Sequence, residues 1–64
     1  MNEIEYYQVS ASVIDENTLE RELAPLREIK DNYPKILLTL DDIGSGTNYE
    51  GIRHINVIDW LLEK

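Results

Sequence analysis

Three aspartates are the residues of this 64-residue chain whose type and spacing could support chemistry. Asp15 follows the first apolar segment, and Asp41 and Asp42 follow the second. If those segments are parallel strands, the three carboxylates lie near the carboxyl ends of the strands, where α/β sheets bind ligands. Convergent carboxylates can hold Mg²⁺ or Ca²⁺. We favour the alternative, in which Asp15 starts a helix and the Asp pair solvates a turn, and we expect no metal or other cofactor.

Two other features could bind or react. Residues 44–47 read Gly-Ser-Gly-Thr and could surround an anion with backbone N–H groups. They contain no lysine and no helix is expected directly after them, so a flexible loop is favoured. His54 is the single histidine and has no serine or cysteine nucleophile arranged beside it. We therefore expect a structural role for His54 and no catalytic residue in the chain.

Two apolar segments must position these residues. Residues 4–14 are rich in β-branched and aromatic side chains, with apolar residues on both alternating faces, which favours a strand covered on two sides. Residues 35–40 are nearly all apolar between breakers, which is typical of a buried central strand in a parallel sheet. With a helix between them, the two strands form a βαβ unit.

The intervening segment has the spacing of a helix. Its apolar residues fall within an arc of about 120°, interrupted by Glu22: Leu19, Leu23, Leu26, Ile29 and Tyr33. Asn17 followed by Glu20 resembles a capping pair. Pro25 predicts a kink or a break, and the helix should end before Pro34.

The rest of the chain predicts a loop, a short strand at 52–55 and a last helix at 57–64 with Asn56 as its N-cap. We therefore predict a small βαβ(β)α unit of the α/β class. It should have two or three strands with a parallel central pair, and 1–64 should be one small domain.

The last helix is more apolar than a surface helix requires. Its apolar side chains cover roughly 200° of its circumference: Val57, Ile58, Trp60, Leu61 and Leu62. We expect Trp60, Ile58, Leu61 and Leu62 to form an interface, although Trp60 could equally belong to the core. Because so few strands also leave unpaired sheet edges, a homo-oligomer, most simply a dimer, is predicted.

Composition excludes several classes of partner. Thirteen acidic residues against six basic ones give a formal charge of −7, which repels nucleic-acid phosphates and anionic membranes. No apolar run approaches the about 18 residues of a membrane span. The absence of cysteine is compatible with a cytoplasmic location and excludes disulfides and thiolate metal sites.

Four stretches resemble the C-terminal region of bacterial and archaeal AAA-type ATPases, in the same order along the chain. They are residues 6–10 (YYQVS), 21–26 (RELAPL), 30–35 (KDNYPK) and 51–56 (GIRHIN). Members of that family carry an N-terminal ATPase module and a poorly characterised C-terminal region. The G-x-x-x-x-G-K-[ST] loop of the ATPase module does not occur in these residues. The resemblance implies that this chain is a C-terminal fragment whose ATPase portion is missing.

The same resemblance implies a partial restriction-endonuclease-like sheet. In that fold a central strand carries a Glu-x-Lys pair, downstream of an Asp on the preceding strand, and these bind Mg²⁺. The matching positions here are Gln8 and Ser10, and the strand that would supply the Asp is missing. We therefore expect a non-enzymatic accessory or interaction module of the ATPase. The alternative is a degenerate or split Mg²⁺-dependent nuclease-like domain that acts on DNA only in the full-length protein.

Overall fold

Residues 4–63 fold into one sheet with a helix on each face. The computed structural model describes residues 4–63. Its elements, in chain order, are β1 (Tyr6–Val9), α1 (Glu16–Arg27), β2 (Lys35–Thr39), β3 (Asn48–Tyr49), β4 (Ile52–Asn56) and α2 (Val57–Leu62). The predicted small α/β class is confirmed.

Within the described residues the sheet has four strands, in the order β1-β2-β4-β3. β2 pairs in parallel with both β1 and β4, which confirms the parallel centre. β3 pairs antiparallel with β4 and is only two residues long. The expected number of two or three strands was therefore wrong. A strand of two residues is too short to show the alternation of apolar and polar residues from which strands are predicted.

β2 is the centre of the core. Leu37 is completely buried, and its neighbours Ile36 and Leu38 on the other face of the strand are nearly so. Burial of consecutive residues confirms a strand covered on both faces. On the α1 side, the core cluster joins the strands to the helix: Val13, Leu23, Leu26, Leu37 and Ile52.

β1 is shorter and more exposed than predicted. It spans Tyr6–Val9 rather than most of residues 4–14, and it lies at one edge of the sheet. Val9 is 68 % exposed, so the second face is not covered at the carboxyl end of β1. The sequence pattern does not reveal the exposure of Val9, because it does not distinguish an apolar residue that is buried from one that is exposed.

α1 begins at one of the two helix starts that the sequence offered, and it ends before Pro34, as predicted. Asp15, rather than Asn17, is the N-cap, and its side chain accepts hydrogen bonds from the N–H groups of Asn17 and Thr18. The helix includes Pro25 and ends two residues later at Arg27, well before Pro34. A proline so close to the end of a helix removes one hydrogen bond without interrupting a long remaining segment.

α2 packs on the face opposite α1. The predicted N-cap is confirmed, since the Asn56 side chain accepts hydrogen bonds from the N–H groups of Ile58 and Asp59. Trp60 packs edge-on against Tyr7, with ring centroids 5.5 Å apart. Tyr7 points to the other side of the sheet from Tyr6, which lies against the α1 core. Within residues 4–63, no helix has the length and apolar character needed to cross a membrane.

Candidate functional site

The three aspartates do not converge. Asp15 caps α1, while the buried Asp41 accepts a hydrogen bond from the backbone N–H of Val13 at 2.7 Å. This hydrogen bond holds the pKa of Asp41 below its ordinary value of 3.8. Asp42 is exposed. No group of three or more acidic, histidine or cysteine side chains within residues 4–63 is arranged to hold a metal ion.

Mg²⁺ should therefore leave the thermal unfolding midpoint unchanged. The Asp15 and Asp41 carboxylates already accept backbone N–H groups, so a cation would have to displace existing hydrogen bonds. Melting curves with MgCl₂, compared with NaCl of equal ionic strength, test this expectation. A midpoint that rises with MgCl₂ and not with NaCl would contradict it.

The carboxyl end of the sheet instead holds a buried polar cluster, which we call the His54 cluster: Thr39, Asp41, His54 and Asn56, each 6 % exposed or less. Thr39 Oγ1 and His54 Nε2 are 2.7 Å apart, and Thr39 Oγ1 also accepts the N–H of Asp41. Asn56 donates its side-chain N–H to the carbonyl of Asp41. The cluster therefore ties the ends of β2 and β4 to the segment that follows β2.

The glycine-rich segment at 44–47 closes over His54. The N–H of Gly46 donates to the carbonyl of His54 at 2.6 Å, and the N–H of His54 donates to the carbonyl of Thr47. Gly44 has a φ of +88°, and a Cβ placed there would lie 3.3 Å from His54 Nδ1. The backbone of this segment is therefore engaged with β4 through Gly46 and Thr47, and the segment forms a loop, as predicted.

His54 has one unsatisfied ring nitrogen. Its Nδ1 is buried and makes no hydrogen bond to the residues that the structure describes. Burial lowers the pKa of His54 below 6.5, and the nearby charge of Asp41 opposes this shift. Burial therefore favours the neutral form of the imidazole inside the fold.

Sequence reasoning missed the partners of His54. Thr39 lies at the end of a strand that was predicted from its apolar residues alone. Ser45, in the glycine-rich segment, accepts the backbone N–H of Asn56 and was not predicted to do so either. The available signal was periodicity: His54 and Asn56 are two residues apart on β4, and Thr39 pairs with Asn56 across the sheet. Once the register is known, the three polar side chains fall on one face.

A further depression lies at the other end of the sheet. Its volume is about 520 Å³, and Arg27 and Lys35 are its basic residues. Arg27 is paired with Glu20 and Glu50, and Lys35 with Asp31. Since both cations already have carboxylate partners, this depression offers little free charge to a ligand.

The predicted interface on the last helix divides into two parts. Trp60 is half-buried against Tyr7, so its ring belongs largely to the packing of α2 on the sheet. Ile58, Leu61 and Leu62 are 53 %, 57 % and 80 % exposed. We call these three side chains the α2 surface.

The strand that resembles the nuclease strand holds no reactive pair. Gln8 donates a hydrogen bond to Glu22 of α1 at 2.8 Å, so its amide joins β1 to the helix. Ser10 lies beyond β1 and donates to the carbonyl of Ser12. Neither side chain contributes a positive charge.

A comparison with known proteins finds an uncharacterized protein of Haemophilus influenzae that is 48 % identical to this chain over 62 residues. The match covers 97 % of this chain and 14 % of that protein. No protein family matches the sequence, and no solved structure matches it. This chain is therefore similar to a segment that makes up about one seventh of a longer protein.

Proposed function

We propose that this chain is a non-catalytic accessory or interaction module, and that it serves as part of an AAA-type ATPase. The observation that carries the interaction role is the α2 surface. A six-residue helix leaves three large apolar side chains more than half exposed to solvent. Exposed apolar residues that adjoin one another are typical of surfaces that another protein covers.

The similarity to a longer protein supports the same role. The matched segment is a small part of its relative, so in that protein it has other parts of the chain as possible neighbours. The ATPase assignment rests on the sequence resemblance described above. The module itself contributes no phosphate-binding loop, and Gln8 and Ser10 occupy the two positions that match the Glu-x-Lys pair of the nuclease strand.

We propose that the α2 surface joins two copies of the chain as a homodimer. Leu61 and Ile58 are three residues apart and therefore neighbours on the helix. Two such patches can face each other across a twofold axis, because a twofold interface uses the same patch on both copies. The charge of −7 on each copy opposes this contact, so added salt should strengthen it.

Leu61→Glu should weaken this association by at least about tenfold, since it places a charge in the buried part of the contact. Sedimentation over a range of protein concentrations measures the effect. Ile14→Glu is the matched control, because Ile14 is 68 % exposed and lies before α1 rather than on α2. A wild-type chain that stays monomeric at high micromolar concentration contradicts self-association through α2.

A further inference from the structure

β1 has one side of its backbone open. The N–H of Tyr6 donates to the carbonyl of Pro34 and that of Ser10 to the carbonyl of Leu38, so these residues face β2. In a parallel pair, alternate residues direct their backbone groups to the same neighbour. Tyr7 and Val9 therefore direct their N–H and C=O groups away from β2. No strand of the described residues lies on that side, since β1 ends the sheet.

β1 lacks the features that usually prevent an edge strand from pairing with another chain. Edge strands of monomeric proteins commonly carry a lysine, a proline or a bulge, which block pairing with another chain. β1 reads Tyr-Tyr-Gln-Val, with no charged residue and no proline. The opposite edge is formed by β3, which has only two residues and offers much less backbone. β1 is therefore the edge that is best suited to accept a further strand.

The surroundings of this edge are acidic on both faces of the sheet. The Tyr7 hydroxyl donates to Glu5, and the Gln8 amide donates to Glu22 on the other face. Both donors are neutral, and neither Glu5 nor Glu22 takes part in an ion pair within residues 4–63. A strand added beside β1 would place alternate side chains near these two carboxylates.

An apolar groove lies at the carboxyl end of the same edge. Its volume is about 350 Å³, and Val9, Leu38 and Val57 are among the residues that line it. Tyr7 and Val9 point to this face of the sheet, and Val9, whose backbone groups are open, is one of the residues that line the groove. An apolar side chain of an added strand could enter it.

We propose that the β1 edge binds an extended polypeptide segment, which adds as a further strand and carries at least one lysine or arginine and one apolar residue. The basic side chain faces Glu5 or Glu22, and the apolar side chain enters the groove beside Val9. This inference rests on the proposed role as an interaction module and names a second surface, separate from the α2 surface. The mode is strand addition, in which main-chain hydrogen bonds give affinity and side chains give selectivity.

The test uses a synthetic peptide of alternating lysine and valine, and a second peptide in which glutamate replaces lysine. Trp60, the single tryptophan, packs on Tyr7 and reports binding through its fluorescence. The lysine peptide should bind at least about tenfold more tightly than the glutamate peptide. It should also protect the backbone amides of Tyr7 and Val9 from hydrogen exchange.

Val9→Pro should abolish the binding, because it removes an outward N–H while leaving the hydrogen bonds to β2 in place. Val9→Ala is the comparison: it keeps the N–H group and changes only the lining of the groove, so it should weaken binding much less than Val9→Pro does. The double variant Glu5→Gln, Glu22→Gln should bind the lysine peptide several-fold more weakly than the wild type does. It should bind the glutamate peptide at least as tightly as the wild type does. The unfolding midpoint of each variant shows whether the sheet is intact.

Three results would overturn the proposal: lysine-peptide binding that survives Val9→Pro, equal binding of the two peptides, or no binding of either. A chain that self-associates without peptide and loses this in Val9→Pro would also overturn it, because the occupant would then be a second copy. None of these results depends on Leu61, so sedimentation of Leu61→Glu tests the α2 surface independently.

Discussion

Replacing Leu37 with alanine should lower the free energy of unfolding by about 3.5 kcal/mol, which is the middle of the range for buried leucines. Leu37 is fully buried at the centre of β2, and it belongs to the cluster that joins α1 to the sheet. A 64-residue chain has a total stability of about 3 to 10 kcal/mol at ordinary values per residue. The substitution should therefore remove a large share of the stability, and in the lower part of that range it would unfold the chain.

Urea unfolding followed by circular dichroism measures the loss. Leu40→Ala is the matched control, because it is the same chemical change three residues later, at a side chain that is 61 % exposed. That variant should change the free energy of unfolding by less than about 0.5 kcal/mol. Equal losses for the two variants would mean that β2 does not occupy the centre of the core.

Stability should also fall as the pH is lowered from 7 to 5, and His54 should be the main cause. His54 is 1 % exposed and its Nδ1 has no hydrogen-bond partner among the described residues, so burial lowers its pKa below 6.5. Four residues lie around the ring: Thr39 at the end of β2, Asp41 in the segment that follows it, Gly44, and Tyr49 at 6.0 Å between ring centroids. Asp41 is the charged group among them.

The direction follows from proton binding by the two states. Well above pH 6.5 the imidazole is neutral in both the folded and the unfolded chain. Below pH 6.5 the unfolded chain takes up a proton, whereas the folded chain resists until its lower pKa is reached. The free energy of unfolding should therefore fall with pH over that interval, by up to about 1.4 kcal/mol per pH unit. Asp41 has a lowered pKa, so its contribution is retained down to about pH 3.8 and lost below it.

His54→Gln provides the comparison, because glutamine can hydrogen-bond Thr39 and does not titrate. The variant should be less stable at pH 7 but should lose much less stability than the wild type between pH 7 and pH 5. An NMR titration of the wild-type imidazole gives the pKa directly, even if the variant folds poorly. Equal pH slopes in the two proteins, or an imidazole pKa at or above 6.5, would contradict this role of His54.

The sequence was informative about features that depend on neighbouring residues. The apolar run before Asp41 identified β2, because a strand buried on both faces must be apolar at nearly every position. Asn56 was recognised as the N-cap of α2, since capping uses N–H groups two and three residues away. The excess of apolar residues on α2 likewise predicted side chains that the fold leaves exposed.

Local signals left open which of two residues would cap α1. Asp15 and Asn17 are both good N-caps and the sequence offered each as a helix start, and in the structure Asp15 takes this role. Pro25 was predicted to kink or break the helix, but the effect of a proline depends on how many helical residues follow it. Both outcomes depend on where the chain leaves β1 and enters β2, which the residues near the helix do not specify.

What the sequence determined by itself is the set of elements around β2 and their α/β class. The tertiary structure decided which polar residues meet inside and which apolar ones stay outside. Thr39 and His54 are 15 residues apart, and Val13 and Asp41 are 28 apart, yet each pair is joined by a buried hydrogen bond. Periodicity and capping extend over a few residues, whereas these contacts depend on strand order and register, which only the folded sheet establishes.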